Sequence, residues 1–174
     1  MISRRRRLSG NQRGFTIVEM MVTLALTAVI SLGASMASAQ VLNQTSHNAN
    51  YVTASRQAMN AISWISRDAQ MAQVVDGASS FPAGHLVFTW TTWDNDVDRV
   101  VYSLSNGQLR RAWAVNDAEP VETVVAEYIN PNPSLTGCDA NNNMLSLKIT
   151  ASVGQGSRIS DVTLTHDTTL RPKL

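Results

Sequence analysis

From Phe15 the chain reads FTIVEMMVTLALTAVISLGASMASAQVL, and Glu19 is its only Asp, Glu, Lys or Arg before Arg56. An apolar run of roughly 25 residues, wound as a helix, crosses a hydrocarbon core of about 30 Å. No Gly or Pro interrupts the chain from Val41 to about Val75. In that stretch Tyr51, Ser55, Ala58, Ile62, Ile65, Ala69 and Ala72 recur at alternating spacings of four and three. That is one stripe of an amphipathic helix, and Arg56, Gln57, Arg67 and Gln70 fall off it. The pattern predicts one long helix over about 16–75, ended by Asp76-Gly77. Its stripe, with Ile62 and Ile65, is read as core packing.

After residue 80 the period changes to two. Leu86 to Trp93 is β-branched and aromatic, and Arg99 to Leu104 follows. Asn106-Gly107 separates that run from Gln108 to Trp113, a strong short hairpin signal. Glu122 to Ile129 reads as another strand. Met144 to Val153 and Ile159 to His166 read as a second hairpin around Gly154-Gln155-Gly156. The expected fold is α+β: a long N-terminal helix packed on a mostly antiparallel sheet of about six strands.

Composition changes this picture little. The 174 residues suit one domain, and 44% hydrophobic residues can bury a core. Charge changes it more. The formal net charge is +1, from 14 Lys and Arg against 13 Asp and Glu. Five of the bases (Arg4, Arg5, Arg6, Arg7 and Arg13) precede the apolar run, and no acid accompanies them. A basic leader is thus followed by a mildly acidic body, which excludes a strongly basic nucleic-acid binder. The arginines hold the N-terminus cytoplasmic by the positive-inside rule, so the body is exported.

An ordinary signal peptide would use Ala37-Ser38-Ala39 and cut before Gln40. The apolar run is too long for that, and it contains a carboxylate. A plain membrane anchor explains the length but not Glu19, since an acid inside a membrane is costly. A twin-Arg export signal is suggested only by Arg4 to Arg7.

One reading accounts for all these features. Arg13-Gly14-Phe15-Thr16-Ile17-Val18-Glu19 closely resembles the processing site of type IV prepilins and type II secretion pseudopilins. The resemblance runs from Arg13 to about Ala39. It implies that a prepilin peptidase cuts after Gly14 and methylates the new N-terminal amine on Phe15. It implies further that Glu19 serves assembly, pairing in the filament with a neighbour's N-terminal amine. One departure is that many major pilins have a kinking proline where Met36 stands, whereas this chain has none before Pro82. Gly33-Ala34-Ser35 offers a small-residue patch for close helix packing. The fold is then expected to be pilin-like, with residues 1–14 a cleaved leader and 15–40 a transmembrane or filament-core half-helix. Residues 41–76 form an amphipathic half-helix and 77–174 an exported β-rich domain.

A second resemblance is narrower. Ser66 to Ala72, then Val100 to Arg111, is similar to J-type pseudopilins and PilW-like minor pilins. It implies a minor pilin or pseudopilin that helps assembly in, or at the tip of, a pilus or secretion pseudopilus. The implied partners are prepilin peptidase, other minor and major pilins or pseudopilins, the inner-membrane assembly platform, and the membrane for the precursor. The implied route is bacterial inner membrane, then a periplasmic or surface filament, with no nucleic acid. The rival is a secreted or anchored binding module with an ordinary signal peptide. Asp68 is read either as a contact orienting the helix on the sheet or as paired with a nearby base or solvent. Arg110 and Arg111 are read as an interface patch or as a solvated hairpin arm.

Chemistry of other kinds finds little support. Asp94, Asp96 and Asp98 have the start of a calcium-loop spacing, but Arg99 takes the glycine's place and Ser105 the glutamate's. The reading is an acidic turn with no metal, and calcium at these three carboxylates is the minor alternative. His47, His85 and His166 form no local metal motif. G-x-S-x-G, H-E-x-x-H and the phosphate-loop pattern are absent, so no enzyme and no cofactor is expected. Trp64, Trp90, Trp93 and Trp113 are read as core and interface anchors. Cys138, the single cysteine, is a free thiol or one half of an intermolecular bridge.

Overall fold

The computed structural model describes Gly14, residues 16–141 and residues 143–171, with Ser157 by its backbone only. Helix α1 spans Ile17–Met71. Strands follow at β1 (Val74–Asp76), β2 (Leu86–Thr91), β3 (Val97–Ser105), β4 (Gln108–Val115), β5 (Val121–Ala126), β6 (Gly137–Asn141), β7 (Met144–Val153) and β8 (Ser160–Thr169). Two antiparallel sheets result, in the orders β1-β2-β3-β4-β5 and β6-β7-β8. The chain divides into two units, Met1–Gln44 and Thr45–Leu174. The second unit holds the C-terminal part of α1 and both sheets, a long helix packed on antiparallel strands in a pilin-like α+β arrangement.

In the first unit the described part of α1 is exposed throughout, with side chains such as Ile17, Leu24, Ile30 and Met36 open to the surroundings. The helix is long and apolar enough to cross a membrane. Its hydroxyls do not oppose that. Thr27, Ser31, Ser35 and Ser38 each donate to the carbonyl four residues back, and Thr23 donates to Met20. A polar group satisfied inside its own helix loses little on leaving water.

The second unit has a single core. Ala54, Ala58, Ala61, Ile65, Ala69 and Ala72 bury the helix face against Leu86, Phe88, Val100, Tyr102, Leu109, Leu145 and Ile149. The buried stripe is rotated from the expected one. Tyr51 is exposed, and Ser55 and Ile62 are half-buried, while Ala54 and Ala61 are fully covered. Alanines let the helix approach closely, and the larger side chains move to its flanks. The helix also stops at Met71 rather than near Val75. Gln73 donates its N–H to the Thr89 carbonyl and leads into β1, most of which the helical reading had absorbed.

Among the described residues eight strands stand where about six were expected. The β3–β4 hairpin turns on Asn106 and Gly107, at φ 52° and 75°, with Ser105 opposite Gln108. Two positive φ values in a two-residue turn are what Asn-Gly supplies. The β2 ladder ends at Thr91, so Trp93 lies in the β2–β3 turn, 91% exposed, and anchors nothing within the unit. The run expected at 122–129 splits. Its end leaves sheet one, and Ile129 bridges to Ala151 of β7 while donating to Gly107, which sews the two sheets together. The short β6 completes the second sheet.

Candidate functional site

Two sites emerge, one in each unit. The first is the start of α1. Gly14 is exposed and a Cβ there would touch nothing within 4 Å. Thr16 precedes the helix, and its hydroxyl accepts the Glu19 N–H at 3.3 Å, while its carbonyl accepts that of Met20. Thr16-Ile17-Val18-Glu19 therefore reads as an N-cap with an acid at the third helical position. The spacing Thr-x-x-Glu before an apolar run was the available signal for Thr16, and the motif reading had used only its glutamate. Glu19 lies exposed in the first turn, where a negative charge is favoured by the helix dipole. Phe15, Arg4, Arg5, Arg6, Arg7 and Arg13 lie outside the described residues. Ala37, Ser38 and Ala39, the rival cleavage site, sit inside the continuous helix.

The second site joins helix to sheet within Thr45–Leu174. Asp68, only 4% exposed, projects from α1 onto the first sheet. Tyr102 of β3 donates its hydroxyl to Asp68 Oδ2 at 2.5 Å. Arg111 of β4 donates to both carboxylate oxygens, Nε to Oδ2 at 2.7 Å and an Nη to Oδ1 at 3.0 Å. Tyr102 and Arg111 are direct partners across the β3–β4 ladder, which sets them side by side on one face. The Arg111 guanidinium also covers the Trp64 ring at 5.4 Å, and Arg67 covers it at 5.5 Å.

Burial, then the Asp68 carboxylate, pushes the Tyr102 hydroxyl far above its ordinary range, so it stays protonated as a donor. For Arg111 burial works against the charge, and Asp68 outweighs it, leaving the guanidinium more basic than usual. Asp68 thus joins helix to sheet, and the nearby base it pairs with is Arg111. Its partners come from the two stretches, 66–72 and 100–111, that carried the narrower resemblance. Arg110 and Arg111 part company because neighbouring strand residues face opposite ways. Arg111 enters the clamp, while Arg110 stays exposed with Glu122 at 3.6 Å, a pair of little energetic consequence.

In the acidic turn two of the carboxylates take partners within the protein. Asp96 accepts from Asn116 Nδ2 at 2.7 Å, and Asp98 is buried in β3 and accepts from Trp113 Nε1 at 2.7 Å. Among the described residues no cluster of three His, Cys, Asp or Glu side chains is placed to hold a metal. Cys138 is half-buried, donates to the Ala78 carbonyl at 3.2 Å, and has its pKa pushed up to about 12 by burial and then by Asp139.

Residues 9–35 match one family model, the prokaryotic N-terminal methylation motif. No curated protein and no solved structure gives a match to the chain. The motif covers the processing segment and the start of α1. Motif and fold together support a type IV pilin-like precursor, anchored in a membrane by its apolar helix. Such a motif implies a prepilin peptidase as processing enzyme and other pilins as assembly partners.

Proposed function

We propose that this chain is a minor pilin or pseudopilin subunit of the J-type or PilW-like kind. The observation that carries the reading is the methylation motif placed at the start of a 55-residue helix whose apolar N-terminal part is exposed. Prepilin peptidase cuts after Gly14 and methylates Phe15. Removal of the leader discards Arg4, Arg5, Arg6, Arg7 and Arg13, leaving an amine and Glu19 as the first charges. An exposed apolar helix outside a bilayer needs other helices around it, and a filament core supplies them. There Glu19 pairs with a neighbour's amine and sets axial register, because an unpaired charge among apolar helices is costly. The protein's work is structural: it helps a filament start or caps it.

The test is the intact mass and N-terminal residue of the protein recovered from cell envelopes. A chain beginning at methylated Phe15 is the expected result. A chain beginning at Gln40, or an uncut chain, overturns the reading. Glu19→Ala is expected to leave export and folding unchanged and to abolish recovery in sheared filaments.

A further inference from the structure

Among the described residues six non-glycine residues have a positive φ, and five of them are Asn or Asp, whose short polar side chains tolerate it. The sixth is Tyr128, at φ 61°. A bulky residue is an outlier in the left-handed region, and it persists only where its surroundings impose it. Here they do so from both sides. The Glu127 N–H donates to Gln57 Oε1 at 2.9 Å, and the Tyr128 carbonyl accepts from Ser152 at 2.8 Å. Ile129 and Asn130 donate to the Gly107 and Thr150 carbonyls at 2.9 and 2.8 Å. The backbone is thus pinned between the two sheets, with a tyrosine where Asn or Gly would be unstrained. Core packing does not explain that tyrosine. It is 49% exposed, and its hydroxyl has no partner among the described residues.

Tyr128 lines a groove of about 410 Å³ between the β3–β4 turn, residues 127–131 and Ser152. The other lining groups set its chemistry. Asn106, Gln108 and Asn130 supply side-chain amides, Ser152 a hydroxyl and Glu127 a carboxylate. Gln108 bonds Glu127 at 3.4 Å and Asn130 bonds Ser152 at 3.0 Å, so these side chains are held in pairs and keep further donors and acceptors. The Asn106 amide has no partner among the described residues. No Lys or Arg lines the groove, which disfavours an anion, and one carboxylate makes no metal site. The amides disfavour a wholly apolar ligand. An added peptide strand needs open backbone groups, and the N–H groups of Glu127, Ile129 and Asn130 and the Tyr128 carbonyl are already engaged. The ligand chemistry left is that of a neutral polyhydroxylated molecule. The aromatic face suits its C–H surface, and the amides and carboxylate suit its hydroxyls.

We propose that this groove binds a neutral saccharide, one sugar ring lying on Tyr128 with its hydroxyls bonded to Asn106, Gln108 and Glu127. The pinned backbone holds the tyrosine in place before the ligand arrives, which limits the ordering cost of binding. The strain at Tyr128 serves to aim the ring into the groove. The site is independent of cleavage at Gly14, so failure of either reading shows in a different measurement.

The test is saturation-transfer NMR on the full chain in a detergent without a sugar headgroup, with maltohexaose, cellohexaose, chitohexaose and mannohexaose as probes. At least one is expected to bind with a Kd below about 10 mM. Tyr128→Asn weakens that binding about tenfold or more and leaves the thermal midpoint unchanged or raised, because Asn tolerates the same backbone. Tyr128→Phe keeps the ring and most of the affinity. Trp93→Ala, which removes an exposed aromatic at the other end of β3, changes nothing. No binding by any of the four, binding indifferent to Tyr128→Asn, or binding abolished by Trp93→Ala overturns the proposal. So does a Tyr128→Asn midpoint lowered by several degrees, since the ring would then be a packing group. Decaproline bound in place of the saccharides overturns it too, by making the groove a peptide site.

Discussion

Replacing Asp68 by Ala strips two partners at once, the buried Tyr102 and the half-buried Arg111. Arg111, whose side chain is 15% exposed, keeps its charge and loses both hydrogen bonds, and the Tyr102 hydroxyl loses its acceptor. Breaking a buried ion pair from one side costs about 3–5 kcal/mol. The orphaned hydroxyl adds about 1–3 kcal/mol, part of which is the same desolvation counted twice. The expected loss is therefore about 4 kcal/mol, a large share of the roughly 5–15 kcal/mol that holds a domain folded. Asp68→Asn keeps the shape and one acceptor oxygen but removes the charge, and should lose about 2 kcal/mol. The triple variant Asp68→Leu, Tyr102→Phe, Arg111→Met replaces the whole network by apolar groups and should recover most of the loss.

The assay is urea unfolding of the full chain in detergent micelles, followed by tryptophan fluorescence. Trp64, Trp90, Trp93 and Trp113 all lie in the second unit, and Trp64 sits against Arg111, so the signal reports on the clamp's own unit. With an m-value of about 2 kcal/mol/M, Asp68→Ala lowers the midpoint by about 2 M. A loss under about 1 kcal/mol, or an Asp68–Arg111 coupling under about 0.5 kcal/mol in a double-mutant cycle, refutes the argument that this clamp holds helix to sheet.

Other predictions follow from single sites. Gly77 has φ 75° and its Cβ would lie 2.0 Å from the His85 carbonyl oxygen, whereas Gly107 has the same φ and a Cβ there would meet the Ile129 carbonyl oxygen at an ordinary 3.6 Å. Gly107→Ala should cost about 1–2 kcal/mol by backbone strain alone, and Gly77→Ala clearly more, as read from their urea midpoints. Cys138, with its pKa raised to about 12, should resist iodoacetamide at pH 8 in the folded chain and react once unfolded, as mass spectrometry will show. The folded pKa values of Cys138 and Tyr102 both stand above their unfolded ones. Their stabilising contribution is thus complete below the unfolded values, 9.0 and 10.0, and declines as pH rises past them. Unfolding midpoints should fall between pH 9 and 12, with a smaller fall in Cys138→Ala, and an identical fall in that variant would remove the thiol from the explanation.

Much of the architecture was legible because local chemistry and final fold agree. The apolar run with one acid, the period-two segments and Asn106-Gly107 each have a local cause, and β7 appears at the residues where alternation placed it. The failures lie where tertiary contacts decide. Val74 to Asp76 continue a helical sequence, yet become a strand because β2 offers an open edge. Trp93 continues a strand-forming run, yet the turn at Asn95, φ 65°, takes it out of the sheet. The helix stripe was off by part of a turn because alanine gives a weak periodic signal, although close packing favours it. Asp68 was recognisable as a candidate, but its partners, 34 and 43 residues away, required the hairpin register.

The alanine stripe and the clamp explain one another. Ala54, Ala58, Ala61 and Ala69 present a nearly smooth surface broken only by Ile65, so among the buried apolar side chains of α1 it is chiefly Ile65 that would oppose a shift by one turn, about 5.4 Å. Apolar burial alone therefore discriminates poorly between neighbouring registers. Polar contacts discriminate sharply. In the observed register Asp68 meets Tyr102 and Arg111, Gln57 accepts the Glu127 N–H at 2.9 Å, and Asn50 donates to the Arg158 carbonyl at 3.1 Å. One turn of slippage breaks all three and strands the Asp68 charge in an apolar setting, at a cost comparable to the whole clamp. Burial holds the helix to the sheets, and the carboxylate at its far end decides where along its length it is held.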